Sequence, residues 1–397
     1  MRMGTPTIAY LSFDIVPAPK GAAVHIAAFV RFLAAAIGPV ALVTVAAPGG
    51  TGTVAWPGVH HVPLPATGAT LIHRVMEFRR HLRHWLAGQR FGVIHVRSIY
   101  EGFPIAVEKA KWCDRLIFEV NGLPSIELKY RYPDVAADAD LLNKLTAQEQ
   151  VCLEAADVIV TPSPVTRQHL ISRHIAPEKI HVIPNGVDLE VFTYQPASIW
   201  QRAHGAIAPF KILYFGTLSS WQGADLAIRA VARVQPQLPA ALTLIGPASK
   251  GQTQALHKLA AKLGVSDRVR LAPPTPQAAL VAALHQSHCT IAPLTLCDRN
   301  WVQGCCPLKV LEGMASGTPV IASDLPVVNA LGEPNQHFLS VKPSSVTALA
   351  DAWLELQASP ALAQQLSQAG RHQIEQHFTW PQAGAALVAL YRDLVMT

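Results

Sequence analysis

The chain has 397 residues, half of them hydrophobic and 15% charged, with a formal net charge of +6. That length suits two domains of ordinary size, each burying its own core, and the apolar share excludes a disordered or low-complexity chain. The positive excess is mild, and it is concentrated: residues 71–100 hold six arginines against one acid, Glu77.

Thr7 to Phe13 reads as a buried strand, followed by the loop DIVPAPKG and a helix opening near Gly21. A strand, loop and helix in that order place amides at the carboxyl edge of a parallel sheet, where doubly wound folds bind ligands. Gly21 is therefore a candidate contact, with a plain turn as the other reading. The apolar stretch Ala22 to Ala47 is broken by His25, Arg31 and Gly38-Pro39, so it reads as helix, turn and strand and not as a membrane span. Further strands are expected at Val40 to Ala46, His60 to Leu64, Val93 to Val96, Leu116 to Val120 and Val158 to Thr161, and β-then-α spacing of this kind predicts a parallel sheet.

Within this half, Leu71, Val75, Phe78, Leu82, Trp85 and Leu86 recur at helical spacing, surrounded by Arg74, Arg79, Arg80, His81, Arg83 and His84. Two readings stand. One is a core-facing stripe with a solvated basic back; the other is a surface across residues 71–90 that meets anionic membrane. Nucleic acid is not expected, because no nucleic-acid module surrounds these arginines. The strand LIFEV then leads into NGLPSIELKYRYP, which begins at Asn121, while His95 in FGVIHVRS reads either as a core histidine or as a site residue.

A proline-bearing stretch, residues 193–209, reads as a linker between an N-terminal domain (1–192) and a C-terminal domain (210–378). The second series of strands runs Lys211 to Phe215, Leu242 to Ile245, Val269 to Leu271, Thr290 to Pro293, Pro319 to Ala322 and Phe338 to Val341. Trp380 to Val395 reads as a last helix, inside the closing segment 379–397. Within the second series, KILYFGTLSSWQG takes a strand through a Gly/Ser loop (Gly216, Thr217, Ser219, Gln222), and TLCDRNWVQGCC brings Arg299, Gln303 and Gly304 into another loop. GCCPLKVLEGMASGTPVIASD follows, read as a tight loop, a short helix containing Glu312, a stop at Gly317 and a buried strand.

Pro307 suits the first turn of that helix, so the amides of Leu308, Lys309 and Val310 are expected to be unpaired donors that attract phosphate. Glu312, two turns on, cannot serve the same phosphate but can accept hydrogen bonds from ribose hydroxyls. A nucleoside diphosphate fits this pattern. Lys309 has two readings: its ammonium at the phosphate, or its backbone there with the side chain in solvent.

PLKVLEGMASGTPVIASD resembles the nucleotide-sugar signature of glycosyltransferase family 4, and ADVIVTPSPVTRQHLISRHIAPEKIHVIPNGVDLEVF resembles the end of that family's N-terminal domain. The resemblance implies an α/β GT-B fold, two Rossmann-like doubly wound parallel-sheet domains facing across a cleft, with the last helix crossing back to the N-terminal domain. It implies transfer of a sugar from a nucleoside diphosphate sugar to an acceptor hydroxyl, with anomeric retention, in polysaccharide, glycolipid or cell-surface glycan synthesis. Such a hexosyltransferase needs no cofactor and no metal; the lone DAD at Asp138 to Asp140 is read as a helix cap. Glu312 matches the family's ribose-binding glutamate. Its partner glutamate, with seven residues between the two, falls on Gly304, with Gln303 as stand-in by adjacency. The family's diphosphate-clamping arginine and lysine fall on Thr217 and Gln222, which leaves Lys309, Arg299 and the amides of Gly216 to Ser220 as substitutes. The family's histidine near the reacting carbon falls on Asn121, which can hydrogen-bond but cannot exchange protons.

Six cysteines lack zinc-type CxxC pairing, and MRMGTPTIAYLSFD carries no charged leader and apolar core, so reduced thiols in a cytoplasmic protein are expected, with the inner membrane face as the alternative location. Two rival functions stay open: a nucleotide-sugar epimerase of the same architecture, and a catalytically weakened binding subunit.

Overall fold

Runs of branched apolar residues that show no polar alternation form strands buried on both faces, the pattern of parallel sheets covered by helices. The structure, a computed structural model, describes residues 7–18, 20–49, 52–198 and 208–396; the first six residues and residues 199–207 of the expected linker lie outside these. The strands are β1 (Ile8–Ile15), β2 (Val40–Val45), β3 (Val59–Leu64), β4 (Phe91–Val96), β5 (Cys113–Glu119), β6 (Val158–Thr161), β7 (Ile180–Val182), β8 (Phe210–Phe215), β9 (Ala240–Ile245), β10 (Val269–Ala272), β11 (Cys289–Ala292), β12 (Val320–Ser323) and β13 (Leu339–Val341). They form two parallel sheets, in the orders β3-β2-β1-β4-β5-β6-β7 and β10-β9-β8-β11-β12-β13. In the first, Tyr10 pairs with Leu42 on one side and His95 on the other; in the second, Phe215 pairs with Ile245.

Each order reverses once, between β1 and β4 and between β8 and β11. At such a point the crossover helices leave to opposite faces and open a crevice at the carboxyl ends of the strands. The chain divides into two compact units, a first comprising Met1–Asn185 with Trp380–Thr397 and a second comprising Gly186–Thr379.

In the first unit one sheet face is covered by the helices Gly21–Ala36 and Trp380–Met396, which bring Ile26, Phe29, Leu387 and Tyr391 onto Tyr10, Leu42 and Ile117. The other face takes Phe78, Leu82 and Leu86 of the helix Leu71–Leu86, beside Leu116 and Phe118. That helix is capped by Thr70, which accepts from the His73 amide. Leu71 and Trp85 of the expected stripe are only half-buried. Arg79 corrects the expectation of a wholly solvated basic back: its guanidinium donates to the carbonyls of Ile99 and Tyr100 at 2.7 Å. In the second unit the helix Ala224–Val234 and Trp353 pack on Tyr214, Leu242 and Ile291. Among the described residues no helix is long and apolar enough to cross a membrane.

Candidate functional site

Pro307 is not the first helical residue but the cap before it, with φ −74° and ψ 99°, and the helix runs Leu308–Ser316. The shift of one residue changes the donors. The Val310 amide is not unpaired, since it donates to the Pro307 carbonyl at 3.0 Å, while the amides of Leu308 and Lys309 have no backbone acceptor among the described residues. Val310, Leu311 and Met314 are buried and fix the helix on the sheet. Gly317 ends it in the left-handed region, φ 78°.

Lys309 does not point to solvent. It is 7% exposed, and its ammonium donates to Gln222 Oε1 at 2.5 Å and lies 4.0 Å from the centre of the Tyr214 ring. The side chain passes the carboxyl end of β8 at Gly216, where a Cβ would meet Nζ at 3.5 Å. No carboxylate among the described residues is within ion-pair distance of Nζ. Burial therefore pulls its pKa down to about 7, with Arg299 pushing the same way and Cys305 and Glu312 opposing. Glu312 is half-buried, one turn along, and burial pushes its pKa up to about 8 against the pull of Lys309. Its carboxyl has no hydrogen-bond partner among the described residues.

Around this pair, Thr217 is exposed, Ser219 is half-buried, and the Thr217 carbonyl accepts from Tyr214 Oη at 2.5 Å. The Arg299 guanidinium stacks on Trp221, 3.7 Å from the ring centre. Gln303 is fully buried, with Nε2 donating to the Gly304 carbonyl at 3.4 Å. Gly304 closes a π-turn over Arg299–Gln303 with φ 84° and ψ 167°, a conformation open to almost nothing but glycine. A glutamate at this position, where the family resemblance places one, would thus need a different backbone as well as a different side chain.

Gly21 and Asn121 belong to the first unit, at the carboxyl edge of its own sheet. Gly21 starts the helix Gly21–Ala36 behind Lys20, which makes no side-chain cap. Asn121 is half-buried and donates to Glu119 Oε1. Glu119, at the end of β5, has no counterpart in the sequence reading, yet five groups converge on it: Asn121, Tyr10 Oη at 2.5 Å, Arg97 Nε at 3.0 Å, and the Nε2 atoms of His25 and His95 at 2.8 and 3.1 Å. Burial alone would raise its pKa, but the facing His25 and Arg97 and the close approach of the two imidazoles hold it well below the carboxylate range. His95 is fully buried, its Nδ1 2.8 Å from Tyr391 Oη, and burial lowers its pKa, so it is a core histidine. The only advance signal of this cluster was an acid inside the apolar run LIFEV. Asp138 caps a helix, accepting from the Leu141 amide.

The family model described as Glycosyltransferase Family 4 matches residues 19–191, and that described as Glycosyl transferases group 1 matches residues 200–373. The chain belongs to glycosyltransferase family 4. A relative named D-inositol 3-phosphate glycosyltransferase, from Thermobispora bispora, is 28% identical over 77% of this chain and 71% of its own length. Another so named, from Streptosporangium roseum, is 29% identical over 59% of this chain, which spans about half (54%) of that relative. Among solved structures, a sucrose-phosphate synthase from Thermosynechococcus elongatus superposes with a TM-score of 0.83, at 21% identity over 99% of this chain and all of that one. An Anabaena protein, HepE, in complex with UDP-glucose superposes with a TM-score of 0.74, at 14% identity over 97% of this chain and 99% of that one. These likenesses, with the two parallel sheets, make this family 4 fold GT-B.

Proposed function

We propose that this family 4 chain transfers a sugar from a nucleoside diphosphate sugar to an acceptor hydroxyl. The donor diphosphate lies on the amides of Leu308 and Lys309 and against the Lys309 ammonium, and the ribose hydroxyls donate to Glu312. One observation carries the reading: among the described residues, a single helix presents two amides without backbone acceptors, an ammonium without a carboxylate and a carboxyl without donors, in the order that phosphate and ribose require. The UDP-glucose complex of a similarly folded protein supports a nucleotide-sugar donor. Arg299 and the Gly216 to Ser220 loop border the same end of the helix's sheet.

Charge develops on the departing diphosphate, and preorganised donors at that point are worth several kilocalories per mole in comparable sites. The leaving phosphate takes the acceptor hydroxyl's proton, with retention and without a metal. At the first unit's sheet edge the Asn121 amide positions a substrate hydroxyl and exchanges no proton. The acceptor is a glycan, a lipid-linked sugar or a small phosphorylated polyol, the last supported by the relatives' names. Ile72 and Met76, 62% and 58% exposed one turn apart beside Arg80 and Arg83, support contact with anionic membrane at a cytoplasmic face. Co-flotation with anionic liposomes at low salt, lost on charge reversal of Arg80 and Arg83, is the expected result; no co-flotation sinks that contact.

The test of the transfer itself is incubation with a panel of UDP-, GDP- and ADP-sugars, with and without inositol 3-phosphate, hexose phosphates or membrane lipid extract. Nucleotide release that depends on an acceptor supports transfer. Sugar isomerisation without acceptor identifies an epimerase instead, and no release with any pair identifies a binding subunit.

A further inference from the structure

Thr217 and Gln222, the two places where family resemblance expects cations, are both neutral, and the nearest ammonium comes from the facing helix. Lys309 Nζ sits on Gln222 Oε1, over the Tyr214 ring and beside Gly216, so a side chain from Leu308–Ser316 reaches the spot that the Gly216–Gln222 loop would otherwise fill with charge. The groups facing it are few: Tyr214 from β8, Gln222 from the loop after β8, Arg299 and Cys305 from the loop before the helix, and Glu312 on the helix itself. None of them is an anion in contact with Nζ. An ammonium buried without a counter-ion sheds its proton sooner than remain charged.

We infer that Lys309 is a relocated diphosphate clamp that completes its charge only with ligand, so that nucleotide binding carries a proton into the site, and that Gln222 is the positioning residue that aims it. The inference rests on the donor reading above. Phosphate oxygens beside Nζ supply the missing counter-ion and favour the ammonium, whose ordinary pKa is about 10.4. In the free protein Lys309 titrates at about 7, below the ordinary lysine range, so at pH 8 it is mostly neutral before binding. The balance is one proton from the buffer and one N–H bond formed on Nζ, against the fraction of a proton that Glu312, pushed up to about 8 when free, gives back as its carboxylate takes the ribose hydroxyls. Net uptake is therefore about half a proton per site at pH 8 and falls through zero toward pH 6, where the lysine is already charged and Glu312 is still protonated.

Calorimetric titration of the full chain with UDP, ADP and GDP at pH 8, in buffers of differing ionisation enthalpy, measures the number directly, since the terminal phosphate is already ionised. A net uptake of about half a proton is expected for wild type. Lys309→Arg, permanently charged, should bind nucleotide with no uptake, its slope zero or reversed by the proton that Glu312 releases. Gln222→Glu should also abolish uptake, because its carboxylate pairs with Nζ beforehand, and should weaken nucleotide binding at least tenfold by repulsion. Nucleotide binding with no proton uptake by wild type overturns the inference and leaves the donor site standing, as does an unchanged slope in Lys309→Arg. Failure to bind any of the three nucleotides overturns both.

Discussion

The two units each bury an ionisable group at the carboxyl edge of their sheet, and they treat it in opposite ways. Glu119 in the first unit is surrounded: Tyr10, His25, His95, Arg97 and Asn121 all turn to it. Lys309 in the second unit has one neutral amide oxygen and an aromatic face. A buried charge whose partners are complete is a structural part, and its removal leaves those partners stranded. A buried charge whose partners are missing has been left for something that arrives later. The depressed pKa of Glu119 and the depressed pKa of Lys309 express that contrast, since one is held charged and the other is driven neutral.

The largest expected effect is on Glu119. Glu119→Gln should destabilise the first unit by about 3–5 kcal/mol, because Arg97 keeps its charge at 7% exposure with only Asp14 opposite. Denaturant unfolding checks this, and the pH dependence sharpens it. A carboxyl with a depressed folded-state pKa stabilises fully above its unfolded value, about 4.3, and loses that contribution as pH falls through the folded value. Wild-type stability should therefore fall steeply on the acid side and the variant's much less; equal acid limbs would show that Glu119 is not the hub.

Next comes Glu312→Ala. Nucleotide affinity should drop about 10- to 100-fold, the worth of hydrogen bonds to a charged group, with little change in unfolding. A large loss of stability with unchanged nucleotide affinity would make Glu312 a structural residue like Glu119. Gly304→Glu supplies the acid that the family resemblance places there. At φ 84° and ψ 167° it should cost about 1–3 kcal/mol in stability and recover no activity. A gain in turnover would show that the loop adapts.

The smallest effect has the opposite sign. Lys309→Met should raise the stability of the ligand-free protein by about 1 kcal/mol near pH 7 while weakening nucleotide binding. Wild type should then gain on the variant as pH rises from 7 toward 10, because over that range the unfolded lysine holds a proton that the folded one has released. If Lys309→Met destabilises the protein, the ammonium is structurally partnered and the contrast between the units fails.

The sheets were legible because their strands are continuous apolar runs, as in YLSF, LVTV and PVIAS. β7 was not, since three residues between Lys179 and Ile183 carry too little pattern to be seen. The helix Leu308–Ser316 was legible from Pro307 and Gly317, whereas the placement of its proline, and so the fate of the Val310 amide, depended on one backbone angle. Lys309 held two readings until Tyr214 and Gln222 were seen beside it, and both lie about ninety residues upstream. Glu119 was invisible as a hub for the same reason: its partners at positions 10, 25, 95, 97 and 121 share no spacing, only a sheet edge. Sequence proximity reveals helices and strands, but a buried charge is read from what surrounds it in space.

The helix Trp380–Met396 completes the first unit although everything else in that unit has ended by Asn185. During synthesis the ribosome must deliver the whole of the second unit before the segment that covers Tyr10, Phe29 and His95 emerges. The earlier-made unit is therefore the later one to finish, and a nascent chain released at residue 379 would carry an uncovered apolar face, a ready substrate for chaperones and proteases.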